Sequence, residues 1–77
     1  MVKTTVILND MNKMKRFIDK VFRFESNIDA VKERYVVNAK SVMGLFSLDL
    51  SEPIELRLYS ANEDEMVKFI NDMKEFQ

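Results

Sequence analysis

The 77-residue chain contains no cysteine, no histidine and no tryptophan, and it has one glycine and one proline. Without cysteine there can be no disulfides and no thiolate metal sites. Without histidine as well, a metal site would consist of carboxylates alone, and none stand at the spacing of a calcium-binding loop. The sequence therefore predicts a protein without metal or other cofactor.

Long apolar runs are also missing. The apolar segments are far shorter than the roughly 20 residues that cross a membrane, and Met1 to Thr5 lacks the apolar centre of a signal peptide. A net charge of −1 argues against non-specific nucleic-acid binding, which needs clustered Lys and Arg. We expect a cytoplasmic protein that contacts neither nucleic acid nor membrane directly.

Catalytic patterns are absent as well. There is no nucleophile–base pair and no glycine-rich phosphate loop, so an enzyme in its own right has little support. What the chain does have is apolar residues, which make up 47% of it and include six Phe and six Met. This is enough for one core, and the length predicts a single domain over residues 1–77.

Alternation of apolar and polar residues predicts four strands. The first runs from Val2 to Leu8, and the clearest begins at Ile54 just after Pro53. Between them, Ile28 to Val31 and Tyr35 to Ala39 flank Lys32-Glu33-Arg34, which indicates a hairpin without the Asn-Gly pair typical of the tightest turns.

Three helices are predicted from caps and apolar stripes. Asn9 and Asp10 precede the first helix, Ser41 caps a short helix that extends to Leu48, and Ser60-Ala61-Asn62-Glu63 forms a capping box before the last. The stripes of the two long helices are Met14, Phe17, Ile18, Val21 and Phe22, and then Met66, Phe69, Ile70 and Met73. The order is βαββαβα, and it favours an α+β sandwich with a sheet covered by helices on one face.

The segment Val37-Asn38-Ala39-Lys40-Ser41-Val42-Met43-Gly44-Leu45-Phe46-Ser47-Leu48 resembles the most characteristic stretch of HPr, the histidine-containing phosphocarrier of the bacterial sugar phosphotransferase system. In that family a strand ends in Val-Asn, and Lys-Ser-(Ile/Val)-Met-Gly, an apolar pair and Ser-Leu follow. Element order and length agree too. The resemblance implies an HPr-like open-faced sandwich with a four-stranded antiparallel sheet.

The family's phosphoryl acceptor has no counterpart here. Counting back from Ser41 without gaps places Asp10 at the acceptor histidine and Asn12 at the arginine that grips the phosphoryl group. The resemblance therefore implies a protein that cannot carry phosphohistidine. Asp10 has two interpretations: an aspartyl-phosphate acceptor, with Lys13 or Lys15 offsetting the charge, or an ordinary helix cap.

Ser41 matches the serine that a dedicated kinase phosphorylates in many members of the family, after which the protein binds a transcriptional regulator. A phosphate at a helix N-terminus would stabilise that helix. The alternative interpretation is an N-cap that is never modified.

The apolar residues of the short helix cannot all face a core. The resemblance points to Val42, Met43 and Phe46 as an exposed partner-binding patch, with Lys40 beside it, and the alternative is full burial. Gly44 is interpreted as a close-packing glycine. Basic residues on the first helix give a further, weak docking hypothesis, namely Lys13, Lys15, Arg16 and Lys20.

The leading functional prediction is thus a regulatory HPr-like protein that acts through Ser41 and this patch. By resemblance, its partners are HPr kinase, a transcriptional regulator or phosphotransferase-system enzymes. The alternative is an HPr-fold interaction module or decoy that binds such partners without being phosphorylated.

Overall fold

The computed structural model describes all of residues 1–77, and the strands and helices follow one another in the predicted order. A short 3₁₀ turn completes the chain after the third helix. The elements are β1 (Val2–Val6), α1 (Met11–Val21), β2 (Asn27–Lys32), β3 (Tyr35–Asn38), α2 (Val42–Phe46), β4 (Ile54–Tyr59), α3 (Glu63–Met73) and the 3₁₀ turn (Lys74–Phe76).

One antiparallel sheet contains all four strands in the order β1-β4-β2-β3. The register aligns apolar positions of β2 and β4, where Ile28 pairs with Leu58 and Ala30 with Leu56. On the other side of β4, Val2 and Thr4 pair with the same two leucines. Because side chains alternate between the faces of a strand, these residues share one face. The predicted two-layer α+β architecture is confirmed.

The core between sheet and helices contains 17 buried residues, and every one is apolar. Two edge-to-face aromatic pairs connect α1 and the residues just after it to the C-terminal helices. Phe17 packs against Phe76 and Phe24 against Phe69, each with ring centroids 5.6 Å apart. Full burial of such side chains contributes about 1.5–3 kcal/mol each. The longest helices have 11 residues, and none could cross a bilayer.

Two predicted strands, β1 and β3, were too long at their C-terminal ends. β1 stops at Val6, because the Ile7 N–H donates to the Phe76 carbonyl at 2.6 Å rather than to a neighbouring strand. β3 stops at Asn38, although the Ala39 N–H still reaches the Ile28 carbonyl at 2.8 Å. The C-terminal turn thus supplies the hydrogen-bond acceptor for the backbone just beyond the end of β1.

Two members of the predicted apolar stripes lie outside the core. Phe22 is the C-cap of α1 and 56% exposed, because the helix ends at Val21. Ile70 is 44% exposed, because it stands one position, or about 100°, beyond Phe69, which faces the core. The short helix is also shorter than predicted, since α2 ends at Phe46.

The predicted capping box before α3 was wrong. Asn62, not Ser60, is the N-cap, and its side-chain oxygen accepts the Glu65 N–H at 3.1 Å. Ser60 instead accepts the Asn62 N–H at 3.1 Å, which forms a turn ahead of the helix. Asn is a strong N-cap, and it places Glu65 at the third helical position where the box requires its acid.

The hairpin between β2 and β3 turns over two residues, Glu33 and Arg34, with Lys32 paired to Tyr35. Glu33 has φ of 56°, the left-handed conformation that glycine normally supplies. A side chain in this region costs about 1–2 kcal/mol. The hairpin prediction is confirmed. The strain arises because Glu33 occupies a turn position that Asn or Gly adopts more easily.

Candidate functional site

Asp10 is the N-cap of α1. Its backbone is extended, and its Oδ1 accepts the N–H groups of Asn12 and Lys13 at 2.7 and 3.2 Å. The carboxylate is exposed, and its other oxygen, Oδ2, makes no hydrogen bond. The cap interpretation therefore describes its present state, and a role as phosphoryl acceptor stays a hypothesis.

Asn12 lies in the first turn of α1, two residues from that carboxylate, and is exposed. Its backbone N–H is used by the Asp10 cap. An amide at this position supplies no positive charge and no guanidinium fork. Asp10 and Asn12 together therefore carry a formal charge of −1, which is located on Asp10.

Ser41 is the N-cap of α2, as predicted, and it is half-buried. Its hydroxyl oxygen accepts the Gly44 N–H at 3.1 Å, and its carbonyl accepts the Leu45 N–H at 2.9 Å. A Cβ on Gly44 would stand 3.2 Å from the Ser41 hydroxyl oxygen and 3.3 Å from Cβ of Val37. The chain's only glycine is therefore the residue that lets α2 pack closely against Ser41 and β3.

Lys40 is turned toward the protein itself. Its ammonium donates to the Phe24 carbonyl, and its backbone N–H donates to the Asn38 side chain at 2.8 Å. The bond to Phe24 ties the loop before α2 to the loop after α1, and the bond to Asn38 is local. Its ammonium thus already has a hydrogen-bond acceptor within the chain, and the contact of Lys40 with a partner protein stays a prediction.

We define the α2 patch as Val42, Met43 and Phe46. These side chains are 40%, 86% and 49% exposed, whereas Leu45 between them is fully buried. The expectation that this helix leaves apolar side chains in solvent is confirmed, and the alternative of full burial was wrong. An exposed apolar cluster of this kind suits a contact surface, and Met adapts to irregular partners.

A cavity of about 240 Å³ lies between the start of α1 and the end of α2, and we name it the α1–α2 cavity. It brings Asp10 and Phe46 to one place, so the two predicted sites adjoin. Met11, which is 61% exposed, belongs to this region and was missed from the sequence. The lining residues are Leu8, Asn9, Asp10, Met11, Met14, Phe46, Leu50 and Ser51.

The basic face of α1 is partly neutralised within the chain. Arg16 and Lys20 both pair with Glu75 of the C-terminal turn, at 3.3 and 2.5 Å. Lys20, with Arg16 contributing less, lowers the pKa of the Glu75 carboxyl below its usual range. Of the four predicted basic residues, Lys13 and Lys15 are the ones without an ion pair.

Glu65, in the first turn of α3, connects that helix to the loop between α1 and β2, and its role was missed from the sequence. Its carboxylate accepts the Ser26 hydroxyl, the Ser26 N–H at 3.3 Å and the Glu25 N–H at 3.1 Å. The hydrogen bond from the Ser26 side chain is the main cause that lowers the pKa of Glu65 to about 2. Beside it, the Lys68 ammonium lies 5.2 Å from the centre of the Phe24 ring.

A family model described as "PTS HPr component phosphorylation site" matches residues 11–76, which is most of the chain. The chain belongs to the HPr family. HPr proteins are phosphocarriers of the phosphotransferase system rather than enzymes, and this chain is related to that system. The resemblance noted at Val37 to Leu48 is thereby extended across nearly all of the fold.

The chain is similar to other HPr proteins in both sequence and structure. The chain is 43% identical to the HPr-like protein Crh of Bacillus subtilis (strain 168) over 49 residues, which are 64% of the chain and 58% of Crh. It is similar in structure to HPr-C-His of Thermoanaerobacter tengcongensis, with a TM-score of 0.75, 26% identity, and coverage of 96% of the chain and 92% of that protein. HPr of Bacillus anthracis str. Ames shares the fold, with a TM-score of 0.74, 23% identity, and coverage of 99% and 96%.

Proposed function

We propose that this chain is a regulatory member of the HPr family that carries no phosphohistidine. In this proposal a kinase phosphorylates Ser41 in the cytoplasm, and the α2 patch then binds a protein partner. The observation that carries the proposal is the position of Ser41, which caps α2 directly beside three exposed apolar side chains.

The loss of the phosphohistidine relay rests on the residues present. The chain has no histidine, and Asp10 and Asn12 stand at the α1 terminus where the resemblance places the acceptor and its arginine. A carboxylate that caps a helix and an uncharged amide do not reproduce an imidazole and a guanidinium fork. Both parts of the relay site have changed together, which favours an eroded carrier over one with a single replaced residue.

Phosphorylation of Ser41 would add about −1.5 to −2 charges at neutral pH, together with strong acceptor oxygens. The new oxygens could take the Gly44 N–H that the hydroxyl now accepts. The nearest cation along the chain, Lys40, is bonded to the Phe24 carbonyl. The added charge would therefore be available to pair with a partner that also contacts the adjacent α2 patch.

Incubation with ATP and an HPr kinase, followed by intact-mass measurement, tests the proposal. The expected result is the addition of one phosphoryl group to the wild type and none to Ser41→Ala. Ser47→Ala is the matched control, because Ser47 is the exposed serine at the other end of α2. A wild-type chain that gains no phosphoryl group, or a Ser41→Ala variant that still does, would refute the proposal.

A second candidate function is an interaction module or decoy that needs no phosphorylation. The exposure of Met43, at 86% in the unmodified chain, favours it, because the contact surface is already formed. This function predicts that enzyme I or another phosphotransferase-system protein binds the unmodified chain. Binding measured by calorimetry should then be lost in Met43→Ser and unchanged in Ser41→Ala, whereas the leading proposal predicts dependence on Ser41 phosphorylation.

A further inference from the structure

The α1–α2 cavity has a size and lining suited to one apolar side chain. Its volume of about 240 Å³ lies below the roughly 300–1,000 Å³ of a typical small-molecule site. Five of its eight lining residues are hydrophobic. Leu8 and Met14 are buried behind it, while Met11 and Phe46 are exposed beside its mouth.

The charge that lines this cavity is negative. Asp10 is the only charged residue among the lining residues, and no Lys or Arg is among them. The cap bonds to Asn12 and Lys13 use Oδ1 and hold the carboxylate in place, which leaves Oδ2 open. A second carboxylate, on Asp49, is bonded to the lining residue Ser51 and adds to the negative charge nearby.

We propose that this cavity receives one apolar side chain of a partner protein, and that Asp10 Oδ2 pairs with a Lys or Arg beside that side chain. This inference rests on the proposed docking role of the α2 patch, because Phe46 belongs to both surfaces. An acidic partner segment would place like charges together beside an apolar wall, which is unfavourable. The basic residues of α1 would favour an acidic partner elsewhere on that helix, whereas the cavity favours a basic one.

Two short blocked peptides serve as probes: acetyl-Leu-Arg-amide and acetyl-Leu-Glu-amide. Each is titrated into the ¹⁵N-labelled full chain at low ionic strength and followed by NMR. We expect saturable shifts of the amides of Met11, Phe46 and Ser51 with the arginine probe. The affinity for this probe should exceed that for the glutamate probe by about two- to fivefold, the effect of one exposed ion pair.

Asp10→Asn removes the charge and keeps an N-cap oxygen, so the fold is retained and the preference for the arginine probe should disappear. Asp19→Asn is the matched control, since Asp19 is exposed on the same helix but does not line the cavity, and here the preference should remain. Equal binding of the two probes, a preference that survives in Asp10→Asn, or no saturable shift at the cavity would overturn the inference. None of these outcomes bears on whether a kinase modifies Ser41, which the mass measurement decides separately.

Discussion

Helices α1 and α3 are both 11 residues long and both begin after an Asx N-cap, yet their N-terminal ends differ in what surrounds them. At α3, Glu65 adds three hydrogen bonds to the loop between α1 and β2, and Phe24 and Phe69 pack beneath it. At α1, Asp10 bonds only its own first turn, and exposed apolar side chains surround it. The N-terminal end of α3 is thus bonded to the rest of the fold, whereas the N-terminal end of α1 is the one at which we propose that a partner binds.

The largest expected difference is between two phenylalanines. Phe69→Ala should lower the free energy of unfolding by about 3–5 kcal/mol, because a fully buried ring is replaced by a cavity. Phe46→Ala should cost about 1 kcal/mol or less, because half of that ring is already in water. Urea unfolding measures both. Similar losses for the two variants would contradict the contrast between the N-terminal end of α3, which stabilises the fold, and the N-terminal end of α1, which contributes little.

Glu65→Gln should lower the free energy of unfolding at pH 7 by about 1–2 kcal/mol, since the bonds from Ser26 and Glu25 favour a carboxylate. The pKa of Glu65 in the folded protein is lowered from 4.5 to about 2. Its stabilisation is therefore complete above pH 4.5 and is lost as the pH falls toward 2.

Urea unfolding of the wild type and Glu65→Gln across pH 7 to 2 should show the two stabilities converging over that interval. Glu63→Gln is the control, because Glu63 lies in the same first turn and makes no side-chain hydrogen bond or ion pair. A constant difference between wild type and Glu65→Gln at all pH values would show that the carboxylate charge is not the cause.

At the N-terminal end of α1, Asp10→Ala should cost about 1 kcal/mol, the typical value of a lost N-cap, and Asp10→Asn should cost only a few tenths. Chemical denaturation of the two variants side by side measures this. If Asp10→Asn proved as damaging as Asp10→Ala, the carboxylate would have a structural role beyond the cap.

The smallest expected effect on stability is that of Met43→Ser, within about 0.5 kcal/mol, because 86% of this side chain is exposed. The same change should weaken binding to any partner of the α2 patch. Thermal unfolding and binding measured on one sample distinguish the two roles. A large fall in Tm would assign Met43 to the fold rather than to the docking surface.

Local patterns in the sequence were enough to predict the element order, the N-caps at Asp10 and Ser41 and most of the core. Each of these depends on residues within a few positions of one another, through alternation, helical spacing or a cap bond. The exposure of the α2 patch followed from a short helix that carries more apolar residues than one face can bury.

Most of the features missed from the sequence join distant segments. Glu65 meets Ser26 across 39 positions, and Lys40 reaches the Phe24 carbonyl across 16. The shift of the α3 cap from Ser60 to Asn62 was a competition between two good capping residues. The meeting of Asp10 and Phe46 at one cavity likewise depends on how α1 and α2 pack, which their separate patterns do not contain.

The contacts of the C-terminal turn bear on the order in which the chain can fold. The Phe76 carbonyl completes the backbone bonding at Ile7, the Phe76 ring fills the core against Phe17, and the Gln77 side chain bonds Thr4. These contacts close nearly the whole length of the chain into one loop, and closing long loops is slow. During synthesis the core therefore cannot close around Phe17 and Ile7 until Phe76 has left the ribosome.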